Sequence, residues 1–414
     1  MNMNDLMERL SRRDWLRAAA ASGSLISLER LAPDVLAQAA EVSAQEERIL
    51  VVLEMAGGND GLNMVVPHRD EAYRKARPVI GIPADATLTV DDEIGLHPAM
   101  RSLADLLEQG QFAVVQGVGY PNPNRSHFES MDIWHSCRQA GEARDDGWLG
   151  RYLEAAQLKE ASDPPALHLG REKQPLALMS REIRVPSIQS LAQFRLRAAD
   201  RPELVHAIRD LAGDQRTESD ELLGFIQSST SNAIATSQRM ESIGASYQPS
   251  EKYPSSQLGQ KFETVAKLVA SGLRTRIFYL RIDGFDTHAN QPDAHAGLLR
   301  ELSEAVATFV RDANSQGFGD RLLVMAFSEF GRRVQENASE GTDHGTAGPV
   351  LLAGNHVRAG LVGTHPSLTD LDQGDLKHHT DFRQVYAGVL QQWLSVPTEA
   401  VLGGAYEPIQ ILDV

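Results

Sequence analysis

The sequence predicts an α/β fold with a mainly parallel sheet. Short apolar runs typical of buried strands alternate with loops and with segments whose apolar residues recur at helical spacing. The first run, Ile49 to Leu53, ends in a glycine-rich turn that carries Asp60. Because ligands bind at the carboxyl ends of the strands in open α/β sheets, this turn is the first candidate for a functional site.

The predicted strands and helices follow one another along most of the chain. Each predicted strand is a short, mostly apolar run, and each predicted helix has one apolar stripe. The predicted strands span residues 48–54, 112–115, 166–169, 176–179, 276–282, 321–327 and 349–353. The predicted helices span residues 99–109, 126–137, 294–314 and 381–394.

The N-terminal segment resembles a bacterial export signal. The paired arginines Arg12-Arg13 precede an aromatic residue and a leucine, a weakly apolar stretch covers residues 18–28, and residues 37–39 offer a small-x-small cleavage site. We therefore expect residues 1–39 to be a twin-arginine signal, the translocase to be a partner during export, and the mature protein to be periplasmic or secreted. The alternative is a surface helix with a chance arginine pair.

Composition and charge limit the partners that the chain can have. The 414 residues are 42% hydrophobic and 23% charged, as in ordinary globular proteins, and the formal net charge of −16 excludes a typical nucleic-acid binder. The single cysteine, Cys137, excludes an internal disulfide. We expect residues 40–414 to form one domain, in which the polar, helix-rich residues 201–266 are a helical insertion. No later apolar run reaches the ~18 residues that a stable membrane span needs.

Four segments rich in metal-ligand residues follow predicted strands. In a parallel sheet these segments, residues 57–61, 283–288, 328–332 and 342–345, open on the same edge. One aspartate after a strand is more often a helix cap or a turn former, so the prediction depends on the four segments together. They predict a divalent ion, which is Zn²⁺, Mn²⁺, Mg²⁺ or Ca²⁺, and the mixed ligand types suit Zn²⁺, Mn²⁺ or similar ions better than an all-oxygen Ca²⁺ cage. The candidate ligands are Asp60, Asp283, Asp286, His288, Glu329 and His344.

A fifth segment, residues 124–129, follows the second predicted long strand. Ser126 is expected at a helix N-terminus, where a hydroxyl can act as a nucleophile beside a metal. The same serine and Glu129 also match a capping box, and both interpretations stay open. Arg125 and His127 are expected to contact an anionic substrate or a metal. Arg332 is a second candidate anion clamp.

The other histidines lack neighbours that indicate a site. We expect His97 to shape the entry of a helix, and His135 and His168 to be structural. The pair His378-His379 precedes the last predicted helix and is expected to cap it or to face solvent, and the alternative is a contact with the site.

These motifs together resemble the bacterial family called "domain of unknown function 1501", over nearly the whole chain. The resemblance implies a doubly wound α/β/α sandwich of the alkaline phosphatase-like superfamily, beside sulfatases and phosphoglycerate mutases. It also implies metals at the carboxyl edge of the sheet. The motifs are Gly57-Gly58-Asn59-Asp60-Gly61, Gly95-Leu96-His97-Pro98, Asn124-Arg125-Ser126-His127-Phe128, Asp286-Thr287-His288, Ser328-Glu329-Phe330-Gly331-Arg332 and Asp343-His344-Gly345-Thr346-Ala347.

The resemblance also implies individual roles. Ser126 matches the position of the superfamily nucleophile. Glu329 stands where the superfamily usually has an adjacent Asp-His, so one histidine of a two-metal site is missing. The sulfatase signature of Cys or Ser followed by x-Pro-x-Arg is absent around Ser126, which argues against a formylglycine sulfatase. The matched metal positions are Asp60, Asp283 or Asp286, His288 and His344.

The sequence therefore predicts an exported, metal-dependent hydrolase of phosphate or sulfate esters. The nucleophile is either Ser126 or a metal-activated water, and the substrate is a small-molecule or glycan anionic ester. The alternative is a non-catalytic cell-envelope or glycan-binding protein with a degenerate pocket, which the altered Ser328-Glu329 pair motivates. A scaffold role through residues 201–266 is a third hypothesis.

Overall fold

The computed structural model describes residues 48–158, 163–188 and 247–413. The predicted signal, residues 1–39, and residues 201–246 of the predicted insertion lie outside the described residues. Among the helices of the described part, none is long and apolar enough to cross a membrane.

The described residues form fourteen strands and nine α-helices, which we number in chain order. The strands are β1 (Ile49–Ala56), β2 (Val65–Val66), β3 (Leu88–Thr89), β4 (Gly95–Leu96), β5 (Phe112–Gly119), β6 (Ala166–Leu169), β7 (Ser187–Ile188), β8 (Ile277–Asp283), β9 (Leu322–Phe327), β10 (Gly348–Ala353), β11 (Gly360–Val362), β12 (Leu371–Asp372), β13 (Asp375–Leu376) and β14 (Thr380–Asp381). The helices are α1 (Gly61–Met64), α2 (Glu71–Ala76), α3 (Arg101–Glu108), α4 (His127–Ser136), α5 (Trp148–Ala155), α6 (Gln257–Ala270), α7 (Gln291–Ser315), α8 (Phe382–Gly388) and α9 (Thr398–Leu402).

A nine-stranded, mostly parallel sheet forms the centre of the fold. Its strand order is β11-β5-β10-β9-β1-β8-β6-β7, and β14 pairs with β5. Strand β1 is parallel to both of its neighbours, β8 and β9, whereas β10 is antiparallel to β9 and β5. The predicted α/β class with a mainly parallel sheet is confirmed.

Strand β1 shows why the sheet is covered by helices on both faces. All eight of its residues are buried, and alternate side chains belong to two different hydrophobic clusters. Val51 and Leu53 pack in the cluster that includes residues of α3, α6 and α7. Leu50 and Val52 pack in the cluster that includes residues of α4, α5 and α8. A strand buried on both faces reads as a continuous apolar run, which is the pattern in the sequence.

Two predicted elements differ from the structure. Residues 176–179, predicted as a strand, contain the 3₁₀ turn Leu176–Leu178, because Pro175 precedes them and accepts a hydrogen bond from the Leu178 amide at 3.1 Å. The last predicted helix, 381–394, is α8 followed by a π-helical turn, Val389–Trp393.

One end of the predicted insertion belongs to the main body of the protein. Residues 257–266 form the first part of α6, which packs against α7. Phe262, Val265 and Ala266 are fully buried in the same cluster as Val51. We therefore propose that an inserted segment, if it forms, ends before Gln257.

The sheet brings the functional loops to one edge. Strands β1, β5, β8 and β9 run in the same direction, so the loops that follow them leave from the same side of the sheet. Because β10 runs the opposite way, it starts where β9 ends. The whole of residues 328–347 therefore lies between two strand ends at this edge.

Candidate functional site

A cluster of one carboxylate and three imidazoles lies at this edge of the sheet. Asp286 Oδ1 is 3.0 Å from His288 Nε2 and 3.2 Å from His344 Nε2. The two histidine Nε2 atoms are 2.9 Å apart. His127 Nε2 approaches the other carboxylate oxygen, Asp286 Oδ2, at 3.5 Å. These residues come from the loop after β8, the loop before β10 and the start of α4.

The second ring nitrogen of each histidine in the cluster is held by an oxygen that can only accept a hydrogen bond. Nδ1 must therefore be the donor, and in the neutral imidazole the lone pair is on Nε2. Such outer partners are typical of metal-binding histidines. The acceptors are the Arg125 carbonyl oxygen for His344 (2.8 Å), Glu329 Oε1 for His127 (2.8 Å) and Asp343 Oδ1 for His288 (3.3 Å).

These side chains fit a divalent cation. The lone pairs of His288 and His344 face each other and the charged carboxylate of Asp286, an arrangement that repels unless a cation lies between them. Bonds of about 2.0–2.1 Å in a tetrahedral site put neighbouring ligand atoms about 3.3 Å apart. The three separations of 2.9, 3.0 and 3.2 Å are close to this value. In addition, His127 Nε2 is buried without a hydrogen-bond partner in the described structure.

Arg332 fixes the position of Asp286. Its guanidinium is fully buried and donates to Asp286 Oδ1 at 2.7 Å, and it also binds four backbone carbonyls from three loops. The carbonyls are those of Gly57, Gly58 (2.5 Å), Phe285 (3.0 Å) and Thr342 (2.8 Å). Partial burial raises the pKa of Asp286, but the hydrogen bond from Arg332 and the positive charge of its guanidinium outweigh it and bring the pKa to about 2. Arg332 was predicted as an anion clamp, but its guanidinium binds carbonyl groups and Asp286 of the protein itself.

Glu329, predicted as a metal ligand, orients His127 instead of joining the cluster. Its Oε1 accepts hydrogen bonds from the Gly57 amide at 2.9 Å and from His127 Nδ1 at 2.8 Å. Its Oε2 accepts from the Ser328 hydroxyl at 2.9 Å. The hydrogen bond to Glu329 raises the pKa of His127, although partial burial lowers it.

The structure does not bring Asp60 or Asp283 into the cluster. Asp60 is completely buried and pairs with Arg77 at 2.6 Å, and Gln291 donates to the same oxygen. Burial raises the pKa of Asp60, but the ion pair with Arg77 outweighs this and holds it below its usual range. Asp283 is exposed at the end of β8 and pairs with Arg281 at 2.6 Å.

Ser126 and Arg125 also have contacts other than those expected. Ser126 is the exposed N-cap residue of α4, but its hydroxyl makes no capping hydrogen bond, and Glu129 pairs with Arg144 at 2.7 Å. The capping box is therefore not formed. The Arg125 guanidinium pairs with Asp375, so Arg125 contributes its carbonyl rather than its charge to the cluster.

A cavity of about 680 Å³ opens beside the cluster. His127, Asp286 and Glu329 line it at one end, and one face of α4 forms a wall. The other polar lining residues include Glu54, Asp132, His135, Arg144, Lys173, Gln174, Arg281 and Asp283. The apolar lining residues are Phe128, Met131, Leu176 and Met179 together with Ala56.

A buried polar group that the sequence analysis missed lies along this cavity. Glu54 Oε2 accepts from the Tyr279 hydroxyl at 2.6 Å and lies 3.2 Å from His135 Nε2, which is 2.8 Å from Tyr279 Oη. Arg281 Nη1 lies 3.1 Å from Glu54 Oε1. The signal in the sequence was a lone charge, Glu54, inside the otherwise apolar run that forms β1. Asp343 was also missed, because the motif that contains it does not identify it as the partner of His288.

Three solved structures illustrate what the fold is similar to. A sulfatase, PsFucS1 from Pseudoalteromonas sp., is 11% identical, with 90% of this chain and 72% of that chain covered and a TM-score of 0.38. The phosphonate monoester hydrolase SpPMH from Silicibacter pomeroyi is 9% identical, with 88% and 78% covered and a TM-score of 0.37. The periplasmic domain of EcEptC from Escherichia coli, in complex with Zn, is 10% identical, with 75% and 73% covered and a TM-score of 0.35.

The family relationship comes from the sequence. A comparison with curated proteins gives no match. A family model described as "Protein of unknown function (DUF1501)" matches residues 47–411, which is most of the chain and includes every residue of the cluster. The chain therefore belongs to the DUF1501 family, as its motifs predict.

Proposed function

We propose that the protein is a metal-dependent hydrolase of phosphate or sulfate esters. The observation that carries the proposal is the convergence of Asp286 Oδ1 with Nε2 of His288 and His344 beside a cavity. Two histidines and one carboxylate, with an open position left for substrate, are the ligand set of many catalytic zinc sites. The ion is Zn²⁺ or another divalent metal that accepts mixed nitrogen and oxygen ligands.

Asp286, His288 and His344 would hold the ion in this proposal. When bound, the ion supplies Lewis-acid chemistry, which polarises the ester and lowers the pKa of water. His127 has a different task, because Glu329 fixes its ring while Nε2 stays free of hydrogen bonds. We assign proton transfer to this Nε2 atom.

The proposed reaction is attack of water on the phosphorus or sulfur atom. His127 Nε2 takes the proton of the attacking water, and the bond from phosphorus or sulfur to the alcohol oxygen breaks. The departing oxygen takes a proton from solvent water, and His127 returns its proton to solvent. We assign the attack to water, because Ser126 is not among the cavity-lining residues. The N-terminus of α4, which begins at His127, favours an anionic group at this end of the cavity.

The export signal remains part of the proposal. The paired arginines Arg12-Arg13 and the cleavage site at residues 37–39 support export by the twin-arginine route. Replacing Arg12-Arg13 with Lys-Lys in the full chain is expected to leave the protein in the cytoplasm, as measured by cell fractionation. Unchanged export of this variant, or equal export in cells without the translocase, would refute the signal.

Turnover tests the hydrolase directly. The full chain, loaded with Zn²⁺ or Mn²⁺, is expected to release p-nitrophenol from p-nitrophenyl phosphate or sulfate, and the Asp286→Asn variant is expected to lose this activity. Asp92→Asn is the control, since Asp92 is an exposed aspartate that lies neither in the cluster nor among the residues that line the cavity. A metal-loaded protein that binds anions, seen as a higher Tm, but turns over neither ester would favour the non-catalytic binding protein.

A further inference from the structure

The cavity is longer than a phosphate or sulfate group requires. His127, Met131 and His135 all line it, and they lie four residues apart along α4. With a rise of 1.5 Å per residue, the wall from His127 to His135 is about 12 Å long. An ester group beside His127 therefore leaves most of the 680 Å³ for the alcohol part of the substrate.

An exposed aromatic ring stands at the end of the cavity beside the cluster. Phe128 follows His127 directly, lines the cavity and is 86% exposed. Among the residues that the structure describes, Val79 is the other strongly exposed large apolar side chain, at 62%. Leaving a phenyl ring in water is unfavourable, and packing a ligand against it recovers apolar contact area. Met131 and Leu176 extend this apolar wall.

The rest of the cavity carries polar groups of both charge signs. Arg281 is held by Glu54 at 3.1 Å and by Asp283 at 2.6 Å, so its charge is balanced within the wall. Lys173 is exposed, and no hydrogen bond or ion pair to another described residue engages it. Asp132 adds an acceptor of the opposite sign. The lining carries six carboxylates and three cations, so it disfavours a second anion, and its acceptors and donors suit neutral hydroxyl groups, each of which both donates and accepts.

Other ligand classes fit this wall less well. An alkyl chain would remove the charge of Lys173 from water without giving it a partner, which is unfavourable. A second phosphate would meet the carboxylates of Asp132 and Glu54. A molecule with an apolar ring face and hydroxyl edges matches both the apolar and the polar residues of the lining.

We propose that the cavity is a carbohydrate subsite, in which Phe128 packs against a sugar ring and the polar wall that includes Lys173 binds its hydroxyls. The claim that this sugar is part of the substrate rests on the proposed hydrolase function, in which the sugar is the alcohol part of the ester. The binding of the sugar itself does not need turnover, so the two claims are tested separately.

Calorimetric titration of the metal-loaded full chain with neutral disaccharides tests the subsite. The probes are maltose, cellobiose, lactose and chitobiose. At least one is expected to bind, and Phe128→Ala is expected to weaken its Kd by about tenfold, which corresponds to the loss of about 1.4 kcal/mol of contact energy. Val79→Ala is the matched control and is expected to keep the wild-type Kd. The subsite is refuted if no probe binds or if Phe128→Ala binds as the wild type does.

Lys173 provides a second, independent variant. Lys173→Ala is expected to weaken binding of the same disaccharide severalfold, whereas Lys75→Ala, an exposed lysine on α2, leaves it unchanged. If Lys173→Ala and Lys75→Ala change the Kd of the disaccharide equally, Lys173 is not part of the subsite.

Turnover then separates the two proposals. Disaccharide binding without hydrolysis of any phosphate or sulfate ester would overturn the hydrolase and leave the subsite intact. Hydrolysis of methyl phosphate and of glucose 6-phosphate or 6-sulfate with equal kcat/KM, together with no disaccharide binding, would overturn the subsite and leave the hydrolase intact. If both proposals hold, Phe128→Ala raises the KM for the sugar ester and leaves the kcat/KM for methyl phosphate unchanged.

Discussion

Nε2 of His288 lies 2.9 Å from Nε2 of His344, and both atoms lie within 3.2 Å of the same oxygen of Asp286. Each imidazole donates its Nδ1 hydrogen elsewhere, to Asp343 and to the Arg125 carbonyl. Two lone pairs and one carboxylate at these distances repel one another unless a cation is bound. From this relationship we expect metal binding to stabilise the fold.

The first prediction concerns stability with and without metal. At a free Zn²⁺ concentration a hundredfold above the Kd, binding adds about 2.7 kcal/mol to the free energy of unfolding. We therefore expect the Tm to rise on addition of Zn²⁺ and to fall again with EDTA. His288→Ala is expected to lose most of this response. A Tm that does not change with Zn²⁺ in the wild-type protein would contradict the prediction.

The second prediction separates the role of Glu329 from that of the metal ligands. Because Glu329 contacts His127 and not Asp286, Glu329→Gln is expected to keep its metal. It is expected to lower kcat by about 10- to 100-fold, as loss of an orienting partner typically does. Metal analysis and kinetics on the same sample measure both effects. Loss of the metal would instead make Glu329 a ligand, as the sequence motifs predict.

The third prediction concerns Arg332. This buried guanidinium joins four carbonyls and Asp286, so Arg332→Met leaves buried acceptors and one carboxylate unpaired. Removing one partner of a buried charged pair destabilises a protein by about 3–5 kcal/mol. The neighbouring Arg333→Met is the control, because the Arg333 side chain is partly exposed and its contacts are fewer: a hydrogen bond to the Gln373 carbonyl and a longer ion pair with Asp375 at 3.8 Å. If urea unfolding shows that Arg332→Met and Arg333→Met lose the same free energy of unfolding, this role of Arg332 is contradicted.

The fourth prediction concerns Asp60 and pH. Because the pKa of Asp60 is lowered in the folded protein, its ion pair with Arg77 contributes stability above the unfolded pKa, about 3.9, and loses it as the pH falls through the folded value. We expect Asp60→Asn to be less stable than the wild type at pH 7. The difference between their free energies of unfolding is expected to become smaller below about pH 4. Urea unfolding at several pH values measures this. A difference in the free energy of unfolding that does not change with pH, or loss of bound metal in Asp60→Asn at pH 7, would contradict the role of Asp60 as the ion-pair partner of Arg77.

Much of the fold was predictable from the sequence. Strands buried on both faces are continuous apolar runs in the sequence, so β1, β8, β9 and β10 were found close to their observed bounds. Strand β5 begins where it was predicted but continues to Gly119, beyond its predicted end at residue 115. The direction of β10 was not predictable, because an apolar run does not encode whether a strand is parallel or antiparallel. Residues 176–179 were assigned as a strand from the same kind of run, although Pro175 starts a turn there.

The candidate site was predictable as a set of loops but not as a set of ligands. Asp60 and Asp286 both follow strands, and spacing gives no reason to separate them. The difference comes from partners far away in sequence, since Arg77 neutralises Asp60 while His344 lies against Asp286. Glu329 was expected among the ligands for the same reason. Its distance from the cluster is set by the Gly57 amide and by His127, neither of which the motif identifies.

The most direct test of the central claim is the metal content of the purified wild-type full chain and of two variants. After incubation with Zn²⁺ and removal of free metal, the wild type and Asp283→Asn are expected to retain about one equivalent, as a structured three-ligand site does. His344→Ala is expected to retain less than about a tenth of this, because it removes one of the three ligands. Equal metal content in His344→Ala and the wild type, or no retained metal in the wild type, would contradict a metal site formed by Asp286, His288 and His344.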